Sequence, residues 1–331
     1  MKISFTGDAM RYMSKNAGYG QAAEMIYRSF TKLGVNCGFE IDNPDIEISF
    51  ADPWNHKFKN KNAYKIAYSA WESTGLTEDQ IKNFEQADEI WGTSPWVMNI
   101  FKHHFPDKPV FYYKHGIDER FRPRKRNSAH DLFTFLHIGE PFARKDAQML
   151  TEAFIELFGD NPKYRLIMKA ARINTVKVKD KWGYWSSPSS LYKNIVCIDT
   201  FFTNEQMIDL YNLSDVFVYP SWGEGFGFQP LEALATGMPV ISTSDWADYK
   251  KFIPYKIETD LSTNPWQKIH PGFMYKPNKE SLKELMIQSV QNYVYVSDLM
   301  FKQSFQIHEE YDWLEVTRPV VKRLTEIYKN L

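Results

Sequence analysis

Short apolar runs alternate with amphipathic stretches along nearly the whole chain, and this alternation constrains the fold more than any other feature. A strand that is apolar on both faces must be covered on both faces, and a helix with one apolar stripe must bury it, so βα repeats collapse into parallel sheets flanked by helices. In the first part of the chain the pattern predicts strands at residues 3–5, 46–50, 65–68, 89–92 and 110–113, with helices between them. One helix is expected over 21–33, where Ala22, Ile26, Phe30 and Leu33 share a face and Gly34 supplies the stop. Ser94 followed by Pro95 reads as an N-cap and first helical residue.

The alternation lapses between Glu119 and His130, where Arg120-Phe121-Arg122-Pro123-Arg124-Lys125-Arg126 is basic and contains proline. It then resumes with strands at 132–138, 164–169, 195–198, 216–219 and 240–242, a helix over 146–158, and a capping box at Thr203-Asn204-Glu205-Gln206 that should open the next helix. From Glu280 onward the pattern is helical, with Pro319 expected to kink or divide the last helix. A length of 331 residues suits two domains. The expected organisation is a first domain over residues 1–120, a linker over 121–130, a second domain over 131–310 and a closing helical segment over 311–331. Two such α/β domains face each other across a cleft at the carboxyl ends of their strands, which is where open α/β sheets bind ligands.

The balance of charge narrows the class of ligand. Forty Lys and Arg against 41 Asp and Glu leave a net charge of -1, which excludes a uniformly basic nucleic-acid binder and an acidic disordered chain. The two cysteines, Cys37 and Cys197, are far apart and signal neither a zinc site nor a disulfide framework, as expected of a reducing cytoplasm. No apolar run approaches the ~18 residues of a membrane span, so a cytoplasmic protein with at most peripheral membrane contact is expected.

The densest chemical signal runs from Pro220 to Val240, as Pro-Ser-Trp-Gly-Glu-Gly-Phe-Gly-Phe-Gln-Pro-Leu-Glu and then Ala-Leu-Ala-Thr-Gly-Met-Pro-Val. Alternating glycines after a strand let backbone approach a ligand, and the N–H groups at the following helix start can meet an anion. Pro230 is expected at the first helical position, with Glu232 in the first turn and Gly237 just past the last one. The loop matches neither the dinucleotide G-x-G-x-x-G nor the Walker A pattern. No Asp-x-Asp, Cys/His cluster or G-x-S-x-G elbow offers metal-dependent or serine-nucleophile chemistry.

Glu224 and Glu232, eight residues apart between Pro-Ser and Gly-x-Pro-Val, resemble the E-x7-E region of retaining, GT-B-fold glycosyltransferases of the family 4 type. The resemblance extends to Gly18-Tyr19-Gly20, Tyr68-Ser69-Ala70-Trp71-Glu72-Ser73, Ala87 to Ser94, His115-Gly116-Ile117-Asp118, His137 to Asp146 and Leu213 to Ser221. It implies a GT-B architecture of two Rossmann-like domains, with the last helix returning to the first domain through Trp313, Val316, Val320, Leu324 and Tyr328. It also implies a nucleoside-diphosphate sugar as co-substrate, a hexosyl or pentosyl group transferred with retention, and no metal or cofactor. Arg144 and Lys145 would hold the donor diphosphate, Glu224 would contact the transferred sugar and Glu232 the ribose. Backbone at Phe226, Gly227 and Phe228 would approach sugar and phosphates, and a Gly18-Tyr19-Gly20 loop would close over the diphosphate. Glu72 is the first-domain polar group expected at the catalytic centre. The chain departs from the family at His115, where Asn is common, and at Lys169-Ala170, where a glycine is expected. His103 and His104 are expected on a helix surface.

The acceptor is open at this point: a glycan, a lipid-linked glycan, a small molecule or a hydroxylated base in viral DNA. DNA is raised by residues 120–126 and by Lys177 to Trp185, where cations interleave with aromatics. The alternative function is a nucleotide-sugar-binding or regulatory module that keeps the cleft without turnover.

Overall fold

A computed structural model of the chain describes residues 1–11, 18–126, 132–141 and 143–331. Strands β1 (Lys2–Thr6), β2 (Asn36–Phe39), β3 (Ile46–Phe50), β4 (Tyr64–Ser69), β5 (Glu89–Gly92) and β6 (Val110–Tyr112) form one parallel sheet in the order β2-β1-β3-β4-β5-β6. The chain continues through β7 (Phe133–Ile138) and β8 (Tyr164–Lys169), a small antiparallel hairpin of β9 (Val178–Lys179) and β10 (Trp185–Ser186), and then β11 (Ile195–Ile198), β12 (Val216–Tyr219), β13 (Val240–Ser242) and β14 (Tyr255–Lys256). These build a second parallel sheet in the order β11-β8-β7-β12-β13-β14. An antiparallel arm of β15 (Thr259–Thr263) and β16 (Phe273–Pro277) follows.

Every strand expected from an apolar run is present. β2 was not expected, because Asn36-Cys37-Gly38-Phe39 is polar, contains glycine and lies half-exposed at a sheet edge, where burial does not impose an apolar pattern. The topology fixes where ligands can enter. In each sheet the order reverses next to the first strand, between β1 and β3 in one and between β7 and β12 in the other, and loops leaving adjacent strands in opposite directions open a crevice there.

Of the expected linker, residues 127–130 lie outside the described residues. Before them the chain is tied down rather than free: Arg120 forks onto the Asp118 carboxylate (2.9 and 2.6 Å), and the Arg126 guanidinium donates to the Tyr211 and Ser214 carbonyls (3.1 and 2.5 Å). Much of the basic character of this run is therefore spent on structure.

The last helix, Trp313–Lys329, is not divided by Pro319. The proline lies on the exposed side, where a carbonyl left without its helical donor can be hydrated. Trp313, Val316, Val320 and Leu324 are buried as expected, but Tyr328 is exposed and Ile327 takes the inward place. This helix packs against Gly18–Lys32, and its Arg323 reaches the fully buried Glu89 of β5 through Nε (3.1 Å) and Nη2 (2.8 Å). Trp91 Nε1 (2.8 Å) and the Tyr64 hydroxyl (3.2 Å) complete the shell of that carboxylate. Removing the cation leaves a buried charge only partly compensated, so Arg323→Ala should lower unfolding free energy by roughly 3 kcal/mol in urea denaturation; a change below about 0.5 kcal/mol, the scale of an exposed pair, would show that the helix is not anchored there.

Candidate active site

The crevice of the second sheet is lined by the loops that follow β7 and β12. The first loop carries Arg144 and Lys145 in a short 3-10 turn, after which Asp146 caps the helix Ala147–Phe158. The second carries Ser221 to Gly227 into the helix Phe228–Ala235. Loop length and topology thus bring the two cations onto Glu224. Arg144 Nη1 donates to Glu224 Oε1 (2.6 Å) and to the Gly223 carbonyl (2.8 Å), and Lys145 Nζ lies 3.2 Å from the same oxygen. Ser221 (2.7 Å) and Tyr219 (2.9 Å) hydroxyls also donate to it, and Lys145 bonds Tyr219.

Glu224 is almost fully buried. Burial alone would favour its neutral acid, but Arg144, Lys145 and the two hydroxyls outweigh that and hold its pKa down at about 2. Burial pushes Lys145 below the usual lysine range, while Arg144, also buried, is held strongly protonated by Glu224 and Glu72. Glu72 enters from the first sheet, on the loop after β4, and accepts from Arg144 Nη2 (3.1 Å). Its pKa is raised, first by burial and then by Glu224, with Arg144 opposing. Arg144 therefore bridges a carboxylate of each half of the molecule.

Close approach of the halves depends on the glycines between them. A Cβ on Gly225 would sit 2.5 Å from the Ala70 Cβ, and one on Gly223 would collide with the Glu72 carbonyl oxygen. The Thr93 hydroxyl donates to the Gly225 carbonyl (2.8 Å) across the same boundary. The side chains of Phe226 and Phe228 turn into the core, Phe228 stacking on His115 at 4.9 Å, so only their backbone is available to a ligand.

The helix after the loop begins at Phe228, two residues earlier than expected, and Pro230 is its third residue. The missing proline N–H is still one of the first four, which have no helical acceptor, so the earlier start costs nothing. Glu232 accordingly sits one turn in, buried, where it accepts from the Tyr211 hydroxyl (2.8 Å) and from the Gln21 side chain. Burial raises its pKa to about 7, and the two donors only partly oppose this.

Gly18-Tyr19-Gly20 is not a loop: these residues belong to the helix Gly18–Lys32, with Gly18 exposed, Tyr19 half-buried and Gly20 buried. The Tyr19 hydroxyl accepts from the Ala70 N–H (3.3 Å) and bonds Asp52. His103 is exposed as expected, but His104 is half-buried and bonds the Thr74 carbonyl (3.1 Å).

Sequence reasoning missed several groups. Tyr219 and Ser221 were legible as flanks of the Glu224 loop but not as its donors. Tyr211 and Gln21 lie on helices whose spacing reports only which face is buried. His270, on the arm, approaches Glu72 with Nδ1 3.8 Å from Oε2, and no local pattern announces it.

With the site in place, its relatives can be compared. The chain superposes on sucrose-phosphate synthase from Thermosynechococcus elongatus over 100% of both chains, with a TM-score of 0.67 at 12% identity. It superposes on Anabaena Alr3699/HepE in complex with UDP over 98% of this chain and 100% of that one, with a TM-score of 0.66 at 11% identity. The fold is GT-B, two Rossmann-like α/β units about a cleft. Residues 118–247, which hold Arg144, Lys145, Glu224 and Glu232, match the family Glycosyl transferases group 1. A D-inositol 3-phosphate glycosyltransferase of Corynebacterium glutamicum (strain R) is 25% identical over 199 residues, 55% of this chain and 47% of that protein. The chain thus spans about half the length of this curated relative. No helix among the described residues is long and apolar enough to cross a membrane.

The Glu232 assignment has a pH signature. In the ligand-free protein the native state keeps a proton on Glu232 up to about pH 7, whereas an unfolded glutamate releases it near 4.3. Between those values the native state holds the extra proton, so stability falls as pH rises, by at most about 1.4 kcal/mol per pH unit. Glu232→Gln lacks this dependence. Its unfolding free energy relative to wild type should rise by roughly 2 kcal/mol between pH 5 and pH 8, and an unchanged difference would place Glu232 in a polar rather than a buried setting.

Proposed function

We propose that the protein transfers a sugar from a nucleoside-diphosphate donor to an acceptor hydroxyl, with retention of anomeric configuration. The observation that carries this reading is the meeting of Arg144, Lys145 and Glu224 at the crevice of the second sheet, opposite Glu72 of the first. As the bond to phosphate loosens, negative charge grows on the leaving diphosphate and positive charge on the sugar. Arg144, Lys145 and the N–H groups at the start of the helix Phe228–Ala235 meet the first, and Glu224, which stays ionised, faces the second. Glu232 accepts from the two hydroxyls of a ribose, a task that suits a carboxylate at a helix start. UDP, bound in the Anabaena relative, is the first nucleotide to test. The first unit, residues 1–120, receives the acceptor, and the second, residues 131–310, the donor. Closure of the cleft keeps water from competing for the donor.

A panel of UDP-, GDP- and ADP-sugars, with released nucleotide measured by mass spectrometry, tests the activity. Release with any donor supports transfer, and tight binding without release identifies a non-catalytic binding module instead. The two glutamates separate the roles further. In calorimetry at pH 8, Glu232→Gln should weaken nucleoside-diphosphate binding by roughly 1.5–3 kcal/mol, and the loss should shrink at pH 6, where the wild-type carboxyl is itself protonated. Glu224→Gln should leave nucleotide binding at least as strong, since it frees Arg144 and Lys145 from their present anion, while lowering turnover. Equal losses of nucleotide affinity in both variants would overturn the assignment.

A further inference from the structure

The arm of β15 and β16 leaves the second sheet and fastens itself to the first unit through main chain. Thr74 N–H donates to the Phe273 carbonyl (3.0 Å), Gly75 N–H to the Pro271 carbonyl (3.0 Å), and Phe273 N–H to the Thr74 hydroxyl (2.9 Å). The tip is stiffened by Asn264, whose amide donates to the His270 carbonyl (2.8 Å), and by Gln267, which bonds Gly272 through both its amide nitrogen (2.8 Å) and its oxygen (3.0 Å). This places the His270 ring 4.7 Å from the Trp71 ring, and Trp71 in turn meets Trp54 edge-on at 5.7 Å. Trp54 is 39% exposed, and Asp52, two residues before it, is exposed as well.

His270 Nδ1 has no hydrogen-bond partner, although the atom itself is buried. Its distance from Glu72 Oε2, 3.8 Å, is too long for a hydrogen bond between them, and a small turn of the half-buried ring would let a single hydroxyl oxygen, about 2.8 Å from each, bond both. Burial, with Arg144 adding to it, lowers the His270 pKa to about 4, so near neutral pH the ring carries one proton and can donate from one nitrogen. Glu72 accepts only. A hydroxyl, which both donates and accepts, is the group that satisfies this pair. The surroundings of Asp52 disfavour an anion: burial first, and then Glu72 and Asp8, raise its pKa, with the Tyr19 hydroxyl and His270 opposing. An exposed indole beside carboxylates suits the C–H face and hydroxyl rim of a pyranose.

Resting on the glycosyltransferase reading, we propose that Asp52, Trp54, Glu72 and His270 form the acceptor subsite, that it takes a neutral, hydroxyl-rich carbohydrate, and that the arm contributes His270 as an acceptor-positioning residue. The carboxylates of Asp52 and Glu72 disfavour a polyanionic acceptor at this position.

The test uses the full chain with UDP and two matched probe sets, the methyl glycosides of glucose, galactose and mannose and their uronate counterparts. By saturation-transfer NMR, a neutral glycoside should bind and its uronate should bind at least fivefold more weakly, with binding lost in Trp54→Ala. With a donor identified from the sugar-nucleotide panel, His270→Ala should leave nucleoside-diphosphate affinity and donor hydrolysis within about twofold of wild type, while transfer to the neutral glycoside falls at least tenfold through a raised acceptor KM. His270→Asn, whose amide nitrogen replaces Nδ1, should recover most of the transfer, whereas His270→Gln should not. Stronger binding of the uronates, or full transfer by His270→Ala, overturns the subsite. If no donor turns over but neutral glycosides bind and Trp54→Ala abolishes binding, the carbohydrate subsite stands and the transferase reading falls; if no probe binds and none accepts sugar, the subsite falls whatever the donor result.

Discussion

The Glu224 carboxylate, buried and ionised between Arg144 and Lys145, is the interaction on which the rest of the structure turns. An isolated charge in that position would neutralise itself or unfold its surroundings. Holding it requires two cations from the loop after β7, two hydroxyls from β12 and its loop, and a cleft tight enough to keep water from loosening the set. The same requirement explains the glycines: the loop that carries Glu224 must pass within backbone contact of Ala70 and Trp71, and a side chain at Gly225 would hold the two halves apart. Charge pairing and backbone composition are two expressions of one constraint, that anion and cations meet out of solvent.

The joining of the two halves is distributed. The last helix binds the first sheet through Arg323 and Glu89 and packs on the helix Gly18–Lys32, while Ile117 pairs with Asp312 at the crossing point. The arm makes a second connection, to Thr74 and Gly75. His115 lies buried against Phe226, Phe228 and Trp313, with burial depressing its pKa to about 3 so that it packs as a neutral aromatic. Where the family commonly has asparagine, a flat ring fills the space between the loop and the last helix.

Most of the sheet framework was legible because buried parallel strands leave nearly continuous apolar runs, and β2 was not because an edge strand has no such obligation. Glu224 and Glu232 were legible as candidates because chemistry and topology coincide there: a strand end, a glycine-rich turn and a helix start lie within one short segment. Arg144 and Lys145 needed the position of β7 to distinguish them from a solvated turn. Gly18-Tyr19-Gly20 misled because glycine reads locally as a loop, whereas all three residues lie in a helix whose apolar face is buried further along at Ala22, Ala23, Ile26 and Phe30. Tyr328 misled for a related reason, since helical spacing gives a face but not which of two neighbours the partner surface will cover. His270 had no signature at all: its neighbours Trp71 and Glu72 lie about two hundred residues earlier, and their meeting depends on an antiparallel excursion that periodicity does not reveal.

The bonds that fasten the arm are made by main-chain atoms and one threonine hydroxyl. Apart from Asn264 and Gln267, whose side chains brace the tip, and Gly272, where a Cβ would sit 2.5 Å from Thr74 Oγ1, attachment is nearly indifferent to which side chains the tip carries. The molecule separates a half of its cleft in which cations, carboxylate and glycines constrain one another from a short segment under fewer such constraints. Related chains could thus diverge in what they recognise through a handful of tip residues while keeping the same ion cluster and the same sheets.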